Sequence, residues 1–216
     1  MEPYIDLHTH RQHPGADIIS VYNLLLNEDA VIPDFPFSAG LHPWYADQLS
    51  LADLSEALDR CLISPSLIAL GETGLDKVGK IPMQVQLDVF ELHLKKAVER
   101  RFPVILHCVR AWDELIGIST NYQTTKILHG YNGGIELTKR LLQQGFLFSV
   151  GKGILNPASK IHKSIHLIPI SSLYCETDNS AISIKNIYKE VSTTFQLTEE
   201  DLRNRIFENF TQLRGT

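Results

Sequence analysis

A chain of 216 residues can bury the core of one domain and is short for two. Its 44% hydrophobic and 21% charged residues exclude a disordered chain, and a net charge of -5 excludes a strongly basic, sequence-blind duplex binder. Three cysteines (Cys61, Cys108, Cys175) make no disulfide framework, no apolar run reaches membrane-span length, and no basic-then-apolar leader opens the chain, so a cytoplasmic protein is expected.

Short apolar runs recur at 4–8, 18–23, 37–41, 67–71, 103–107, 126–129, 146–150 and 172–176. They are continuous rather than alternating, as in strands buried on both faces of a parallel sheet. Residues 24–36, between the second and third runs, contain Pro33 and Pro36 and leave little room for a crossover helix. Helical spacing occupies 49–60, 84–101, 134–144 and 199–212. In 84–101, Leu87, Phe90, Leu94, Ala97 and Val98 share one face, His93 falls off it toward the surface, and Pro103 prevents continuation. Thr198 and Asp201 read as the capping box of the last helix. Strand–helix alternation with eight strands predicts an α/β fold: a (β/α)8 TIM-type barrel, one domain over 1–216, truncated or irregular around the second crossover.

The runs end on metal-ligand chemistry. Tyr4-Ile5-Asp6-Leu7 leads into His8-Thr9-His10, 67–71 into Glu72, 103–106 into His107, 126–128 into His129, and 172–177 into Asp178. In a parallel barrel these ends share one rim, where active sites form. Residues two apart in a strand point the same way, so His8 and His10 can grip one ion. A histidine at a strand end, taken alone, is more often structural or on the surface than a ligand, and Glu72 and Asp178 alone read as a solvated loop acid and a helix cap; recurrence at five strand ends favours a metal centre. Four imidazoles plus Glu72 and Asp178 exceed what one tetrahedral ion needs, which points to two divalent ions with Glu72 between them. Imidazole suits zinc, while carboxylates also accept magnesium or manganese. His42, in Gly40-Leu41-His42-Pro43-Trp44, follows a strand and is expected on the same rim; Trp44 beside it reads equally as packing. His13 lies just past the first pair, without an assigned role.

Together these segments resemble the TatD-related metal-dependent hydrolases and deoxyribonucleases. The resemblance is carried in order by Asp6-Leu7-His8-Thr9-His10, Gly40-Leu41-His42-Pro43, Gly71-Glu72-Thr73-Gly74-Leu75-Asp76, Pro103-Val104-Ile105-Leu106-His107, Leu128-His129-Gly130, Glu176-Thr177-Asp178 and a late Asn209-Phe210. It implies an amidohydrolase-type barrel that hydrolyses DNA phosphodiesters at strand ends or in single strands. His8, His10 and Asp178 would hold the first metal, His107 and His129 the second, with Glu72 bridging. Glu72 and Asp178 would be catalytic, Asp178 orienting or deprotonating the attacking water, and His42 and Arg110 would contact substrate phosphate. The chain departs from the family pattern where Val109 precedes Arg110, where Asn179 and Ser180 follow Asp178, and where Lys77 replaces an aromatic residue. The alternatives are a small-molecule phosphoesterase or amidohydrolase on the same rim, and a non-enzymatic barrel subunit.

Overall fold

Eight parallel strands follow one another in a single sheet in chain order, as a (β/α)8 barrel requires. The computed structural model describes residues 2–11, 15–27 and 30–213. His13 lies outside the described residues. The strands are β1 (Tyr4–Thr9), β2 (Ile18–Leu25), β3 (Phe37–Gly40), β4 (Leu67–Asp76), β5 (Val104–Val109), β6 (Lys126–Leu128), β7 (Leu147–Val150) and β8 (Leu173–Cys175). The helices are α1 (Leu51–Leu62), α2 (Met83–Arg100), α3 (Trp112–Ser119), α4 (Ile135–Gln143), α5 (Lys160–Ser164), α6 (Ile184–Phe195) and α7 (Glu199–Leu213). All eight apolar runs are strands. As expected, no helix lies between β2 and β3 among the described residues. None lies between β1 and β2 either, where the connecting residues are too few for a crossover helix. Two compact units partition the chain: Met1–Tyr22 with Leu128–Thr216, and Asn23–Ile127.

In the first unit β1 pairs in parallel with the start of β2, and β7 with β8. Beyond β8, Thr9 pairs in parallel with Asp178, and two backbone bonds fix the register: Asp178 N–H to His8 O at 2.9 Å and His10 N–H to Asp178 O at 3.1 Å. Register along β1 slips between Asp6 and Thr9, so an extra residue sits in the stretch that carries His8. The fully buried Tyr188 on α6 bridges Ile5, accepting from its N–H at 3.0 Å and donating to its carbonyl at 3.1 Å. Asn209, on α7, donates from Nδ2 to the carbonyls of Ile170 and Leu173 and accepts the Tyr174 hydroxyl on its own carbonyl. The late Asn-Phe element is thus an anchor for the entry to β8. Half of the expected capping box is present: Asp201 N–H donates to Thr198 Oγ1 at 3.0 Å, while the Asp201 carboxylate accepts from the Thr198 hydroxyl at 2.6 Å rather than from the Thr198 N–H.

In the second unit β4 joins β3 on one side and β5 on the other. Helix α1 starts at the Ser50 cap, and α2 ends at Arg101 in a left-handed conformation before Pro103. The buried face of α2 is rotated from the expected one. Gln86, Val89, Phe90, His93, Leu94 and Ala97 are buried, while Leu87 is half-buried and Val98 is 39% exposed. The reason is hydrogen bonding. Gln86 and His93 are polar, so a hydrophobic pattern places them outside, yet each satisfies backbone groups inside. Gln86 Nε2 donates to the Asp76 and Ile81 carbonyls and its Oε1 accepts from Asp76 N. His93 Nε2 accepts from Leu41 N at 3.2 Å, and Nδ1 lies 2.8 Å from the Val89 carbonyl. The expectation of a surface His93 is therefore corrected: it is fully buried. Helix α3 is too short to stand out by periodicity, whereas α6, whose buried Ile184, Ile187, Tyr188 and Val191 follow helical spacing, is a helix the sequence expectations lacked.

Candidate metal centre

The second unit brings together His42, Glu72 and His107. Expected at the end of its strand, Glu72 instead sits in mid-strand, because β4 continues to Asp76. Leu70 pairs with Val104 but Thr73 with Leu106, so one extra residue bulges out of β4 at Gly71–Glu72. Gly71 and Gly74 have φ of 117° and 142°, and a side chain on either would collide with the β5 backbone. These glycines let β4 kink and turn Glu72 toward the histidines. Asn23 Oδ1 steadies the bulge by accepting from Glu72 N at 2.8 Å and Ser38 Oγ at 3.2 Å.

Glu72 Oε1 lies 2.9 Å from His107 Nδ1 and 3.2 Å from His42 Nε2. Donor atoms of these three residues all fall within 4.8 Å of one another, and Glu72 is 3% exposed. The His42 ring has an assignable proton. Its Nδ1 accepts the Trp44 backbone N–H at 3.1 Å, so a neutral ring carries its proton on Nε2, facing Glu72. In that tautomer His42 is a hydrogen-bond donor at the site and not a ligand. On the far side of His107, Nε2 lies 3.4 Å from Asp76 Oδ2. Asp76 is a site residue that the sequence left without a role. Burial pushes its carboxyl up, but hydrogen bonds from Trp44, Val78 and His107 outweigh burial and hold it below the usual carboxylate range.

The first unit brings together His8, His10, His129 and Asp178. His8 is fully buried, on the bulged part of β1. Asp178, at φ 53°, is held by the two backbone bonds to β1. Its Oδ1 lies 3.4 Å from His10 Nε2 and 3.9 Å from His8 Nε2. The His8 and His129 rings are 4.4 Å apart, and donor atoms of His8, His129 and Asp178 all lie within 4.8 Å. Behind His129, the buried Glu176 places Oε1 3.4 Å from Nδ1 and is fixed by the Gly130 N–H at 2.6 Å. Asp6 accepts from Thr177 N at 2.8 Å and Thr177 Oγ1 at 2.7 Å. Burial raises the Asp6 carboxyl to about 7, with the charges of Glu176 and Asp178 adding to it against the two Thr177 bonds. Asp6 and Glu176 are supporting carboxylates that were not foreseen as such. Their signal was present: both sit inside segments already marked by metal ligands.

The donor sets fit divalent cations. Imidazole and carboxylate atoms 3–5 Å apart need only small rotations to reach a common ion about 2.0–2.2 Å from each. Asp76 and Glu176 each face the second nitrogen of a histidine, the outer-shell arrangement that orients a metal-binding imidazole. Of the two predicted phosphate contacts, His42 is within the second unit's cluster, whereas Arg110 is exposed just beyond β5 at φ 56°. Lys77 is ion-paired to Glu114 at 2.6 Å.

The pattern of the family described as TatD related DNase matches residues 21–215. The uncharacterized metal-dependent hydrolase YjjV of Escherichia coli K12 is 35% identical over 64% of this chain and 56% of its own length. The 3'-5' ssDNA/RNA exonuclease TatD of Erwinia billingiae is 30% identical over 65% of this chain and 56% of its own length. The chain thus spans little more than half the length of these relatives. The crystal structure of Escherichia coli YjjV superposes with a TM-score of 0.80, covering 99% of this chain and 98% of that one at 23% identity, a likeness of fold.

Proposed function

This chain belongs to the TatD-related DNase family, and on that premise we propose that it is a single-domain, metal-dependent phosphodiesterase of the cytoplasm that trims DNA from strand ends or in single strands. The observation that supports metal binding is the clustering of imidazole and carboxylate donors, His8, His129 and Asp178 in one unit and His42, Glu72 and His107 in the other, each set within 4.8 Å; the division of ligands between ions follows the family resemblance. By the family resemblance, His8, His10 and Asp178 would hold one divalent ion and His107 and His129 another, with Glu72 as a further carboxylate ligand. Zinc, magnesium or manganese bound there would supply Lewis acidity and make water acidic enough to ionise near neutral pH.

The protein's own groups do the rest. Asp178, whose side chain is 34% exposed, meets solvent more readily than the buried His8 beside it. It orients the attacking water and takes its proton. The water oxygen bonds to phosphorus as the bond to the leaving sugar oxygen breaks, and that oxygen recovers a proton from solvent. His42, with its proton on Nε2, donates to a non-bridging phosphate oxygen, and Arg110 meets the next phosphate along the strand. Asp76 and Glu176 keep the rings of His107 and His129 in one orientation.

The test is hydrolysis of labelled single-stranded and duplex DNA by purified protein with magnesium, manganese or zinc. Wild-type activity must exceed that of Asp178→Ala by at least 100-fold, of the size attributed to positioned acid–base groups, about 10²–10⁴-fold. Equal rates across all three metals refute the reading. Activity confined to phosphomonoesters or cyclic amides would favour a small-molecule hydrolase on the same rim.

A further inference from the structure

We propose that Trp44 is the stacking platform for the unpaired terminal base of a single-stranded nucleic-acid substrate. The proposal rests on the phosphodiesterase reading above and adds the residue that selects a single-stranded end.

The ring is fixed beside the second unit's cluster. Its Nε1–H donates to Asp76 Oδ2 at 2.6 Å. Asp76 is itself buried, and its other oxygen accepts from Val78 N at 2.7 Å and Gly79 N at 3.2 Å. The turn at Gly79 lies against Cδ1 of the indole. The ring centroid stands 4.9 Å from that of His42, nearly perpendicular to it, and 6.3 Å from that of His107. With its polar atom satisfied and its position held, Trp44 is nevertheless 55% exposed. A tryptophan serving the core would bury that apolar area.

Rigid exposed aromatic area at the edge of a phosphodiester site suits one ligand class well. A nucleobase offers a π-face whatever its identity, and stacking on an aromatic side chain binds it without reading sequence. The neighbouring turn supplies Lys80, which is exposed, for the phosphate chain, whereas the charge of Lys77 is occupied by Glu114. A base within a blunt duplex is already stacked and paired, and presenting its face costs the unpairing energy. Trp44 therefore favours single-stranded or frayed ends over blunt duplex ends.

The experiment compares wild type, Trp44→Phe and Trp44→Ala on two single-stranded oligonucleotides that differ only in whether the terminal nucleotide carries a base or is abasic. Phe keeps an aromatic face but loses the N–H to Asp76; Ala loses both. Trp44→Ala is expected to raise KM for the base-ended strand about 5- to 100-fold, the range of one lost base–aromatic stack, with a much smaller change in kcat. It should change KM little for the abasic strand, and Trp44→Phe should restore most of the loss. If Trp44→Phe is as damaging as Trp44→Ala, or both strands suffer alike, the residue acts by holding Asp76 and the platform is overturned. A second readout needs no catalysis. In an Asp178→Ala, Trp112→Phe background Trp44 is the only tryptophan, and a short oligonucleotide should quench its fluorescence more than an abasic one does. Hydrolysis without such quenching overturns the platform alone. Quenching without hydrolysis in any metal overturns the phosphodiesterase reading and leaves the platform standing.

Discussion

His93 offers a stability test whose sign depends on pH. It is fully buried on α2, accepts the Leu41 N–H at 3.2 Å and holds the loop that carries His42. Burial pushes its pKa down to about 4, against a weaker upward pull from the Val89 carbonyl, from 6.5 in the unfolded chain. Between those values the unfolded chain binds a proton that the folded chain refuses. The group's contribution is therefore fully present above pH 6.5 and is lost as pH falls toward 4. The displacement corresponds to roughly 3 kcal/mol at about 1.36 kcal/mol per pH unit. His93→Leu removes the titration but leaves the buried Leu41 N–H without its acceptor, costing about 1–3 kcal/mol at neutral pH. Urea unfolding of metal-free protein at pH 7.5, 6.0 and 4.5 reads both effects. The variant should be the less stable at pH 7.5, and its deficit should shrink toward zero or reverse by pH 4.5. A deficit that stays constant across that range would refute the claim that burial holds this imidazole neutral.

Three further outcomes follow from the geometry. Gly71→Ala places a side chain at φ 117° against the Ile105 backbone, so it should cost at least about 3 kcal/mol in denaturant unfolding, or prevent folding, as strain and overpacking combine. Asn209→Ala abandons the carbonyls of Ile170 and Leu173; a loss of about 1–3 kcal/mol is expected in thermal unfolding, with metal affinity nearly unchanged. Glu176→Gln keeps the shape but removes the charge facing His129 Nδ1, and isothermal titration should show metal binding weakened by about 10–100-fold while apo stability changes little.

Much of the fold was legible because parallel strands buried on both faces spell continuous apolar runs; all eight matched strands. The candidate ligands stood out in the sequence because they stand at or near the ends of those runs. What escaped the sequence was polar and buried. Gln86 and His93 rotate the packed face of α2, since their backbone hydrogen bonds remove the penalty that pattern reading assigns to a buried polar side chain. The polar stretch Glu72-Thr73-Gly74 reads as a loop, yet it is strand, because glycine at positive φ accommodates a bulge and β5 runs alongside to pair with it. Asp76 and Glu176 escaped because they act through a histidine, a relation that spacing along the chain does not display. Trp44 stood level between packing and the site; its 55% exposure is the observation on which the stacking proposal rests.

The central claim is a metal-dependent phosphodiesterase with two ions, and the most direct measurement titrates metal-free protein with manganese or zinc while following bound metal and hydrolysis of a labelled single strand together. The account predicts activity that rises to a plateau at two equivalents per chain and disappears with a chelator. Hydrolysis undiminished by chelator, or full binding of both ions with no hydrolysis of any phosphodiester, would contradict it.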